Sequence, residues 1–241
     1  MSAPQWQQAC VVAVERMNAV DVALRLELPE SRGYLPGQYY NVQMALPGRP
    51  TPVQRAYSLS SSPVPESSVI EIGVREEPGG LVSPRLVRSI SVGDEIRVRG
   101  PYGRFTWTEE DRLPLLLIGA GSGVVPFVSM IRYGAEVGND VPVRLLISSR
   151  NAKLSMYFDE LASLERRYPW LDVTYTFTRD TVDHRARHHR RLDRAMLSEL
   201  IHPSMVRHTY VCGPSDMVEQ TRNELTALGV DAHSIRFEKF D

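Results

Sequence analysis

Residues 113–131, L-P-L-L-L-I-G-A-G-S-G-V-V-P-F-V-S-M-I, carry no charge and are interrupted by glycines at their centre. A short apolar run that ends in a glycine-rich turn is typical of a buried strand followed by a helix. Glycines let the backbone turn tightly, and the first N–H groups of the helix attract an anion. The stretch therefore predicts a diphosphate site, and its broken pattern argues against a membrane span.

The turn differs from the common phosphate-binding motifs. Val124 stands where the Rossmann fingerprint has its third glycine, and the lysine of a P-loop is missing. An ordinary strand-to-helix turn is the alternative. We expect this turn to bind a dinucleotide in a fold that differs from the Rossmann fold. The expected contacts are Gly121, Ser122, Gly123 and Pro126.

The sequence after this turn alternates between strands and helices. Apolar segments at 113–118, 143–148, 173–178, 208–212 and 234–237 alternate with helical patterns that begin at Val124, Met156, Asp193 and Ser215. This alternation predicts a parallel sheet covered on both faces, an α/β domain.

The sequence before the turn has the period of β-strands. Residues 9–14, 20–28, 40–46, 69–75 and 95–98 alternate apolar and polar side chains, with a short helix at 83–90. Short strands at this spacing predict an antiparallel barrel or sandwich. We place the boundary in the polar stretch 108–112, which gives domains 1–108 and 109–241.

Composition excludes several classes of protein. The 241 residues carry a formal net charge of −1, so no global polycation is available for nucleic acid or anionic lipid. Cys10 and Cys212 are the only cysteines, too few for a disulfide scaffold or a four-cysteine iron–sulfur cluster. No metal site is predicted. The N-terminus shows no secretory signal, which indicates a cytoplasmic protein without a membrane segment.

An ordered set of motifs carries a family resemblance. Arg55-Ala56-Tyr57-Ser58, Gly80-Leu81-Val82-Ser83 and Gly100–Phe105 precede the glycine turn, and Cys212-Gly213-Pro214 and Phe237–Phe240 follow it. The set resembles the ferredoxin–NADP reductase superfamily, particularly its stand-alone bacterial FAD-binding ferredoxin or oxygenase reductases. The resemblance implies a six-stranded antiparallel flavin-binding β-barrel followed by a parallel-sheet α/β domain for a nicotinamide dinucleotide.

The resemblance assigns the flavin contacts. Arg55 would neutralise the pyrophosphate, Tyr57 would stack on the isoalloxazine, and Ser58 would lie near its N5 atom. A surface ion pair, a core tyrosine and a strand serine are the ordinary alternatives for these three residues. The resemblance favours FAD over FMN as the bound flavin. Ser83 is also a candidate for the N-cap of the short helix at 83–90. The remaining implied flavin contacts are Ala56, the strand segment Gly73, Val74 and Arg75, and the pyrophosphate cap Gly80, Leu81, Val82 and Ser83.

The resemblance also assigns the nicotinamide site. Cys212 would face the nicotinamide beside Gly213 and Pro214, Glu238 would be the acid beside the flavin, and Phe240 would shield the flavin. The alternatives are a buried core cysteine, a solvent-facing glutamate and a loose terminal tail.

Cationic residues after two strands bear on the choice of nucleotide. Ser149 and Arg150 follow one strand and Arg179 follows the next, with no acid beside Arg150. Cations and hydroxyls suit a 2′-phosphate, so NADPH is expected, with NADH possible.

The predicted activity is transfer of hydride from NAD(P)H to FAD and of single electrons to a separate acceptor, since the chain lacks cysteines for its own cluster. The acceptor would be a ferredoxin, an oxygenase component, free flavin or a dye. Alternatives are an NAD(P)H:flavin reductase, a non-catalytic flavin-binding relay subunit and a flavin-free dehydrogenase.

The basic run at 184–191, H-R-A-R-H-H-R-R, has three interpretations. It could dock an acidic acceptor, lend charge to the NADPH phosphate, or be a solvated loop. Because no aromatic residues are interleaved with these charges, nucleic-acid binding is not expected.

Overall fold

A computed structural model describes residues 3–111, 113–201 and 208–240. The chain forms two compact units: unit 1 comprises Met1–Thr108 and Val128–Val137, and unit 2 comprises Glu109–Phe127 and Gly138–Asp241. The predicted domains 1–108 and 109–241 differ from these units in the assignment of Val128–Val137, and those domain bounds stay a prediction. Arg112, part of the predicted boundary stretch, lies outside the described residues.

Unit 1 is built on a six-stranded antiparallel sheet, as predicted, in the order β4-β3-β6-β1-β2-β5. A bridge between Leu59 and Ile72 and a hydrogen bond from Ser60 N–H to the Glu71 carbonyl (2.8 Å) join the end of β4 to β5. Its elements are β1 Gln7–Arg16, β2 Asp21–Glu27, β3 Tyr39–Met44, β4 Val53–Ser58, β5 Val69–Arg75, α1 Ser83–Arg88 and β6 Glu95–Tyr102.

Alternating side chains from these strands fill the core of unit 1. Leu24 and Leu26 of β2, Ile72 of β5 and Val98 of β6 are fully buried. The helix α1 adds Leu86 to the same cluster. In β3 and β6 buried side chains alternate with more exposed ones, which explains why the period of two was visible in their sequences.

Unit 2 contains a five-stranded parallel sheet in the order β11-β10-β7-β8-β9. The chain first builds β7, β8 and β9 outward and then returns to the other side of β7 with β10 and β11, so the strand order reverses between β7 and β10. The elements are β7 Leu115–Ala120, α2 Val125–Glu136, β8 Val143–Ser149, α3 Phe158–Arg167, β9 Leu171–Phe177, α4 Arg194–Leu200, β10 His208–Pro214, α5 Ser215–Ala227 and β11 Ile235–Phe240.

Two helix starts show what sets the boundaries. Asp193 caps α4, because its carboxylate accepts a hydrogen bond from the Met196 N–H (2.9 Å). The helix α3 begins at Phe158, later than the predicted start at Met156, because Tyr157 has a φ of +58° and cannot be part of a right-handed helix.

The charge-free stretch 113–131 is divided between β7, a 3₁₀ turn at Gly121–Val124 and the start of α2. Within the described ranges, no helix combines the length and apolar character needed to cross a membrane.

Candidate functional site

The glycine turn after β7 packs against the end of β10. A Cβ atom on Gly123 would lie 2.1 Å from the Cys212 carbonyl oxygen and 2.9 Å from the Gly213 nitrogen. Gly121 has a φ of +60° and Gly213 a φ of +152°, both favouring glycine. The two strand ends therefore approach at a distance that excludes a side chain at Gly123.

This close approach lies where the strand order reverses. In open parallel sheets, the crevice beyond the carboxyl ends of the strands at such a switch point is the usual ligand site. Gly121, Ser122 and Gly123 form the 3₁₀ turn there, and Pro126 stands in the first turn of α2, where proline costs no hydrogen bond. The structure thus brings the predicted dinucleotide contacts together with Gly213 and Pro214.

Cys212 and Glu238 are neighbours across β10 and β11, where they are register partners. Burial raises the pKa of the Cys212 thiol well above its usual value, and the nearby Glu238 carboxylate raises it further. Burial also raises the pKa of Glu238 to about 7. Cys212 is therefore a neutral thiol at neutral pH, whereas Glu238 can gain or lose a proton there.

Phe240 is the last residue of β11 and pairs in register with Pro214. It is half-buried. Phe240, Cys212 and Glu238 consequently occupy the same corner of the unit 2 sheet as the glycine turn. Ser58, the third predicted catalytic residue, belongs to unit 1.

The predicted 2′-phosphate contacts lie at the carboxyl ends of β8 and β9. The Arg179 N–H donates to the Arg150 carbonyl (2.9 Å), and the Thr178 N–H donates to the Ser149 carbonyl (2.9 Å). Ser149 is buried, and its hydroxyl donates to the Asn151 carbonyl (2.9 Å). The Arg150 and Arg179 side chains are exposed, and neither has a carboxylate partner among the described residues. Two adjacent cations are thus available to an anion, whereas Ser149 is engaged by the backbone.

The Arg-x-Tyr-Ser motif forms β4, an edge strand of the unit 1 sheet. Arg55 and Ala56 are exposed, Ser58 is buried, and the half-buried Tyr57 packs against the core cluster. Among the described residues, the Arg55 guanidinium makes one hydrogen bond, to the neighbouring Gln54 carbonyl (2.8 Å). Burial raises the pKa of the Tyr57 hydroxyl. Because Arg55 and Tyr57 are two residues apart, they project from one face of β4.

Gly73, Val74 and Arg75 belong to β5, next to the end of β4. The Arg75 guanidinium donates to both carboxylate oxygens of its register partner Asp21, each at 2.7 Å. Gly73 and Val74 are buried. Arg75 therefore has a structural partner of its own, which the sequence analysis did not identify.

Hydrogen bonds among its own residues hold the turn before α1 together. The Gly80 N–H donates to the Glu77 carbonyl (2.8 Å), and the Glu77 N–H donates to the Ser83 hydroxyl (3.0 Å). The N-cap residue is Val82, so Ser83 as the N-cap is a wrong prediction. A Cβ atom on Gly80 would lie 2.9 Å from both Glu77 O and Ser83 Oγ. Leu81 is half-buried in the same turn. The Ser83 oxygen accepts one bond, which leaves its own proton for another acceptor.

These residues fit the two cofactors. A cation, a hydroxyl donor and a half-buried aromatic ring in unit 1 match the pyrophosphate and ring system of FAD. In unit 2, a glycine turn at the start of a helix, packed against the end of β10, matches a dinucleotide diphosphate.

A buried ion pair escaped the sequence analysis. Glu71 accepts hydrogen bonds from Arg132 (2.7 Å), Ser60 (2.8 Å) and Arg25 (3.1 Å). Burial alone would raise the pKa of Glu71, but Arg132, Ser60 and Arg25 together hold it below its usual value. Glu71 falls on the face of β5 opposite Ile70 and Ile72, among the polar positions of the alternating pattern, so the sequence carried no sign that it is buried.

The basic run 184–191 is folded along the edge of β9. The Phe177 N–H donates to the His188 carbonyl and the Arg187 N–H to the Tyr175 carbonyl. Acidic residues of the same unit pair with most of its arginines; these pairs are Arg185–Asp183, Arg187–Glu199 and Arg190–Asp193. The run is thus an ordered and largely compensated segment. In the described part of the chain, no group of His, Cys, Asp and Glu is arranged to hold a metal ion.

Comparison with known proteins agrees with this geometry. Residues 9–107 match the family model of the oxidoreductase FAD-binding domain, and residues 117–223 match that of the oxidoreductase NAD-binding domain. The two matches cover most of the chain. It belongs to the ferredoxin–NADP reductase superfamily and is an oxidoreductase that binds FAD and NAD(P)H.

Individual relatives include a reductase component, a flavohemoprotein and an FAD/NAD-binding domain. The chain is 30% identical over 236 residues to the reductase component of propane 2-monooxygenase from Mycolicibacterium goodii, covering 95% of this chain and 66% of that protein. It is 31% identical over 210 residues to a flavohemoprotein of Deinococcus radiodurans, covering 86% and 51%. The FAD/NAD-binding domain of nitric oxide dioxygenase from Vibrio cholerae superposes with a TM-score of 0.87 and 26% identity, covering 97% and 98%. The chain spans about half to two thirds of the length of the curated relatives that it matches.

Proposed function

We propose that this protein is an FAD-dependent NAD(P)H reductase that passes electrons one at a time to a separate acceptor. The observation that carries the proposal is the packing of Gly123 against the Cys212 backbone at the switch point, with Glu238 as the register partner of Cys212. This packing brings a glycine turn, a neutral thiol and a titratable acid together at one edge of the sheet, which supports binding of a dinucleotide there.

Residues of unit 1 would hold the flavin. When bound, FAD takes hydride from the nicotinamide and releases electrons singly. Arg55 would pair with the pyrophosphate, because a guanidinium matches phosphate oxygens bidentately. The Ser83 hydroxyl would donate its proton to the same group, and the Tyr57 ring would cover the isoalloxazine. Ser58 would offer its hydroxyl beside the reacting edge of the flavin.

Residues of unit 2 would position the nicotinamide. Cys212 would act as a small neutral side chain that allows close approach, since its raised pKa argues against a thiolate nucleophile. Glu238 would hold a proton near neutral pH and supply polarity to the reacting centre. Phe240 would cover the flavin until the nicotinamide enters.

NADPH is the proposed physiological donor, with NADH as a weaker one. Arg150 and Arg179 are exposed and adjacent through their backbones, and neither has a carboxylate partner among the described residues. A 2′-phosphate would supply the missing anion.

The proposed acceptor is a ferredoxin or an oxygenase component, and the proposed location is the cytoplasm. The reductase component of propane 2-monooxygenase, which resembles this chain over most of its length, supports an oxygenase partner. An NAD(P)H:flavin reductase is the alternative activity.

Turnover with different acceptors distinguishes these activities. We expect FAD-loaded enzyme to reduce a [2Fe–2S] ferredoxin with a much higher kcat/KM than free FMN. A preference for free FMN would identify a flavin reductase. A bound flavin that NADPH and NADH both leave oxidised would identify a non-catalytic relay subunit.

A further inference from the structure

Two arginines on the outer face of the unit 1 barrel lie against aromatic rings. The Arg99 guanidinium carbon is 4.6 Å from the centroid of the Trp6 ring and 5.8 Å from that of Tyr102. The Arg97 guanidinium carbon is 5.5 Å from the Trp6 centroid. We call this cluster, with Tyr39, the Arg97–Arg99 patch; it consists of Trp6, Tyr39, Arg97, Arg99 and Tyr102.

A bulge in β6 creates this arrangement. Asn41 of β3 pairs with Arg99 and Tyr39 pairs with Tyr102, so two steps along β3 correspond to three along β6. Residues three apart in a regular strand point to opposite faces, and the additional residue brings Arg99 and Tyr102 to the same face. Gly100 permits the bulge, because a Cβ atom there would lie 2.7 Å from the Tyr40 ring.

The positive charge of the patch is uncompensated. Among the described residues, neither Arg97 nor Arg99 has a hydrogen bond or a carboxylate partner, and the Arg99 Nε atom is shielded from solvent without an acceptor. The basic run 184–191 shows the opposite situation, since acids neutralise most of its arginines. Aromatic rings partly stabilise a cation in such a position, but they leave its N–H groups without acceptors. The patch therefore presents ordered guanidinium groups that a carboxylate would satisfy.

The patch lies close to the proposed flavin contacts of the same unit. Tyr39 pairs in register with Ser58 of β4 on one side and Tyr102 of β6 on the other. The Tyr39 and Tyr102 ring centroids are 5.9 Å apart. Ser58 is thus one strand spacing, about 5 Å, from Tyr39 and two, about 10 Å, from Tyr102. A protein bound there would be near the edge of the flavin that Ser58 is proposed to contact.

A cleft beside the patch offers a place for a partner's side chain. Its volume is about 290 Å³, and Arg97 and Gln43 contribute to its wall. The Gln43 Oε1 atom is buried and has no donor in the part of the chain that the structure describes, and Glu95 is the one carboxylate of the lining. The full lining consists of Gln8, Gln43, Met44, Ala45, Pro52, Glu95, Ile96 and Arg97.

We propose that the Arg97–Arg99 patch docks a protein electron acceptor whose contact face carries carboxylates. The inference rests on the proposed reductase function and adds the surface and the charge of the partner. Two uncompensated guanidinium groups steer an acidic protein toward the patch, and the adjacent row of Tyr102, Tyr39 and Ser58 leads to the flavin contacts.

The test replaces both arginines and measures the reduction of an acidic acceptor protein. The variant Arg97→Gln/Arg99→Gln is compared with wild type for reduction of an acidic [2Fe–2S] ferredoxin at low and at moderate salt. We expect kcat/KM at low salt to fall at least tenfold, mainly through KM, and its dependence on salt to weaken. Arg97→Lys/Arg99→Lys keeps both charges and should retain most of the wild-type rate.

Arg166→Gln/Arg167→Gln is the matched control. It removes two exposed arginines from α3, of which Arg167 also lies over a ring, 5.3 Å from the Tyr168 centroid. The control should leave ferredoxin reduction unchanged. In all variants, reduction of the bound flavin by NADPH and of the uncharged quinone menadione should match wild type, which shows that the flavin and nicotinamide sites are intact.

Several results would overturn the docking proposal. Unchanged ferredoxin kinetics in the glutamine variant, or an equal loss in the Arg166→Gln/Arg167→Gln control, would do so. A wild-type enzyme that reduces menadione but neither binds nor reduces the acidic ferredoxin would do so as well. So would a patch variant whose main defect, by sedimentation, is loss of a dimer, because the patch would then bind a second copy. Failure of NADPH to reduce the wild-type flavin would instead overturn the proposed function.

Discussion

The folded structure shifts the pKa of Glu238 into the neutral range. Its carboxyl group is half-buried on β11, and burial raises its pKa to about 7 from the ordinary value of 4.5. A raised carboxyl pKa means that the folded protein holds the proton more tightly than the unfolded chain. This group therefore costs no stability below about pH 4.5, and its cost grows as the pH rises from 4.5 to 7.

Glu238→Gln should remove this pH dependence. We expect the variant to gain stability relative to wild type as the pH rises through 7, with little difference at pH 4.5. If Glu238 supports hydride transfer, the rate of flavin reduction by NADPH should also lose an inflection near pH 7. Thermal unfolding and stopped-flow reduction across pH measure both. Glu15→Gln, at an exposed position of β1, is the control; identical pH profiles for wild type and Glu238→Gln would contradict the assignment.

Gly123 is a position where one methyl group should disrupt the nucleotide site. Gly123→Ala would bring a Cβ atom to 2.1 Å from the Cys212 carbonyl oxygen, so the backbone of the turn or of β10 must move. We expect a destabilisation of about 1–3 kcal/mol and a KM for NADPH at least tenfold higher. FAD content should be unchanged, since the flavin contacts of unit 1 are distant in sequence. In the control Gly33→Ala, the added Cβ atom has no other atom within 4 Å, so stability and NADPH kinetics should not change. Normal NADPH kinetics in Gly123→Ala would contradict the proposed diphosphate site at the glycine turn.

Arg150 and Arg179 should determine the preference between the two nicotinamide nucleotides. In Arg150→Ala/Arg179→Ala we expect kcat/KM for NADPH to fall about 10- to 100-fold and that for NADH to change less than threefold, because only NADPH has the phosphate. Steady-state kinetics with both nucleotides test this. Arg191→Ala removes another exposed cation and should affect neither. An equal loss of kcat/KM with NADH would show that the two arginines do not bind the 2′-phosphate.

The residue types at the site were predictable, whereas their partners were not. The sequence indicated Gly123 and Cys212 as site residues, but only the fold shows that one packs on the backbone of the other. Arg75 was expected at the flavin, and the register of β2 with β5 pairs it with Asp21. Pairing across strands depends on register, which a single sequence specifies weakly where charged residues alternate.

At the scale of elements, α2 is held by a buried ion pair. Arg132 of α2, in the part of the helix that belongs to unit 1, pairs with Glu71 of β5 at 2.7 Å. Glu71 is almost fully buried and Arg132 mostly so, with side-chain exposures of 4% and 21%. Ser129 adds a hydrogen bond from its hydroxyl to the Ser61 carbonyl (2.6 Å). Removing one partner from such a network leaves the other charge buried and unpaired.

Glu71→Gln should therefore lower the free energy of unfolding by about 2 kcal/mol. The amide keeps the shape of the carboxylate and loses its charge, so the effect reports on the ion pair. Urea denaturation measures it. Glu199→Gln breaks the exposed pair with Arg187, at 3.3 Å, and should change stability by less than about 0.5 kcal/mol. Equal effects of the two substitutions would contradict the account of the Glu71 network.

Most elements could be predicted from period and composition, and the exceptions have physical causes. β4 escaped the periodicity analysis because Gln54, Arg55 and Ala56 are exposed on an edge strand and give no alternation of apolar residues. The helix α3 begins later than predicted because Tyr157 has a left-handed backbone conformation, which hydrophobic periodicity does not reveal. β6 continues past its predicted end at Val98 because the bulge lets Gly100 and Pro101 remain within the strand.

At the scale of the whole molecule, the chain combines two units that each carry one nucleotide site. The proposed flavin contacts lie on β4, β5 and the turn before α1 of unit 1, and the proposed dinucleotide contacts lie in the glycine turn of unit 2, at the reversal of strand order. The order of motifs along the sequence predicted an antiparallel six-stranded domain followed by a parallel-sheet α/β domain, and both sheets are observed. The proposals for the preferred nucleotide and for the acceptor rest on exposed arginines, and the kinetics of the arginine variants test them.

The most direct measurement is a visible absorption spectrum of the purified protein loaded with FAD, followed by anaerobic titration with NADPH and, in parallel, NADH. The account predicts a flavin band that NADPH bleaches at close to one equivalent, with NADH required at higher concentration. A protein that retains no FAD, or a bound flavin that neither nucleotide bleaches, would contradict the central claim that this chain is an FAD-dependent NAD(P)H reductase.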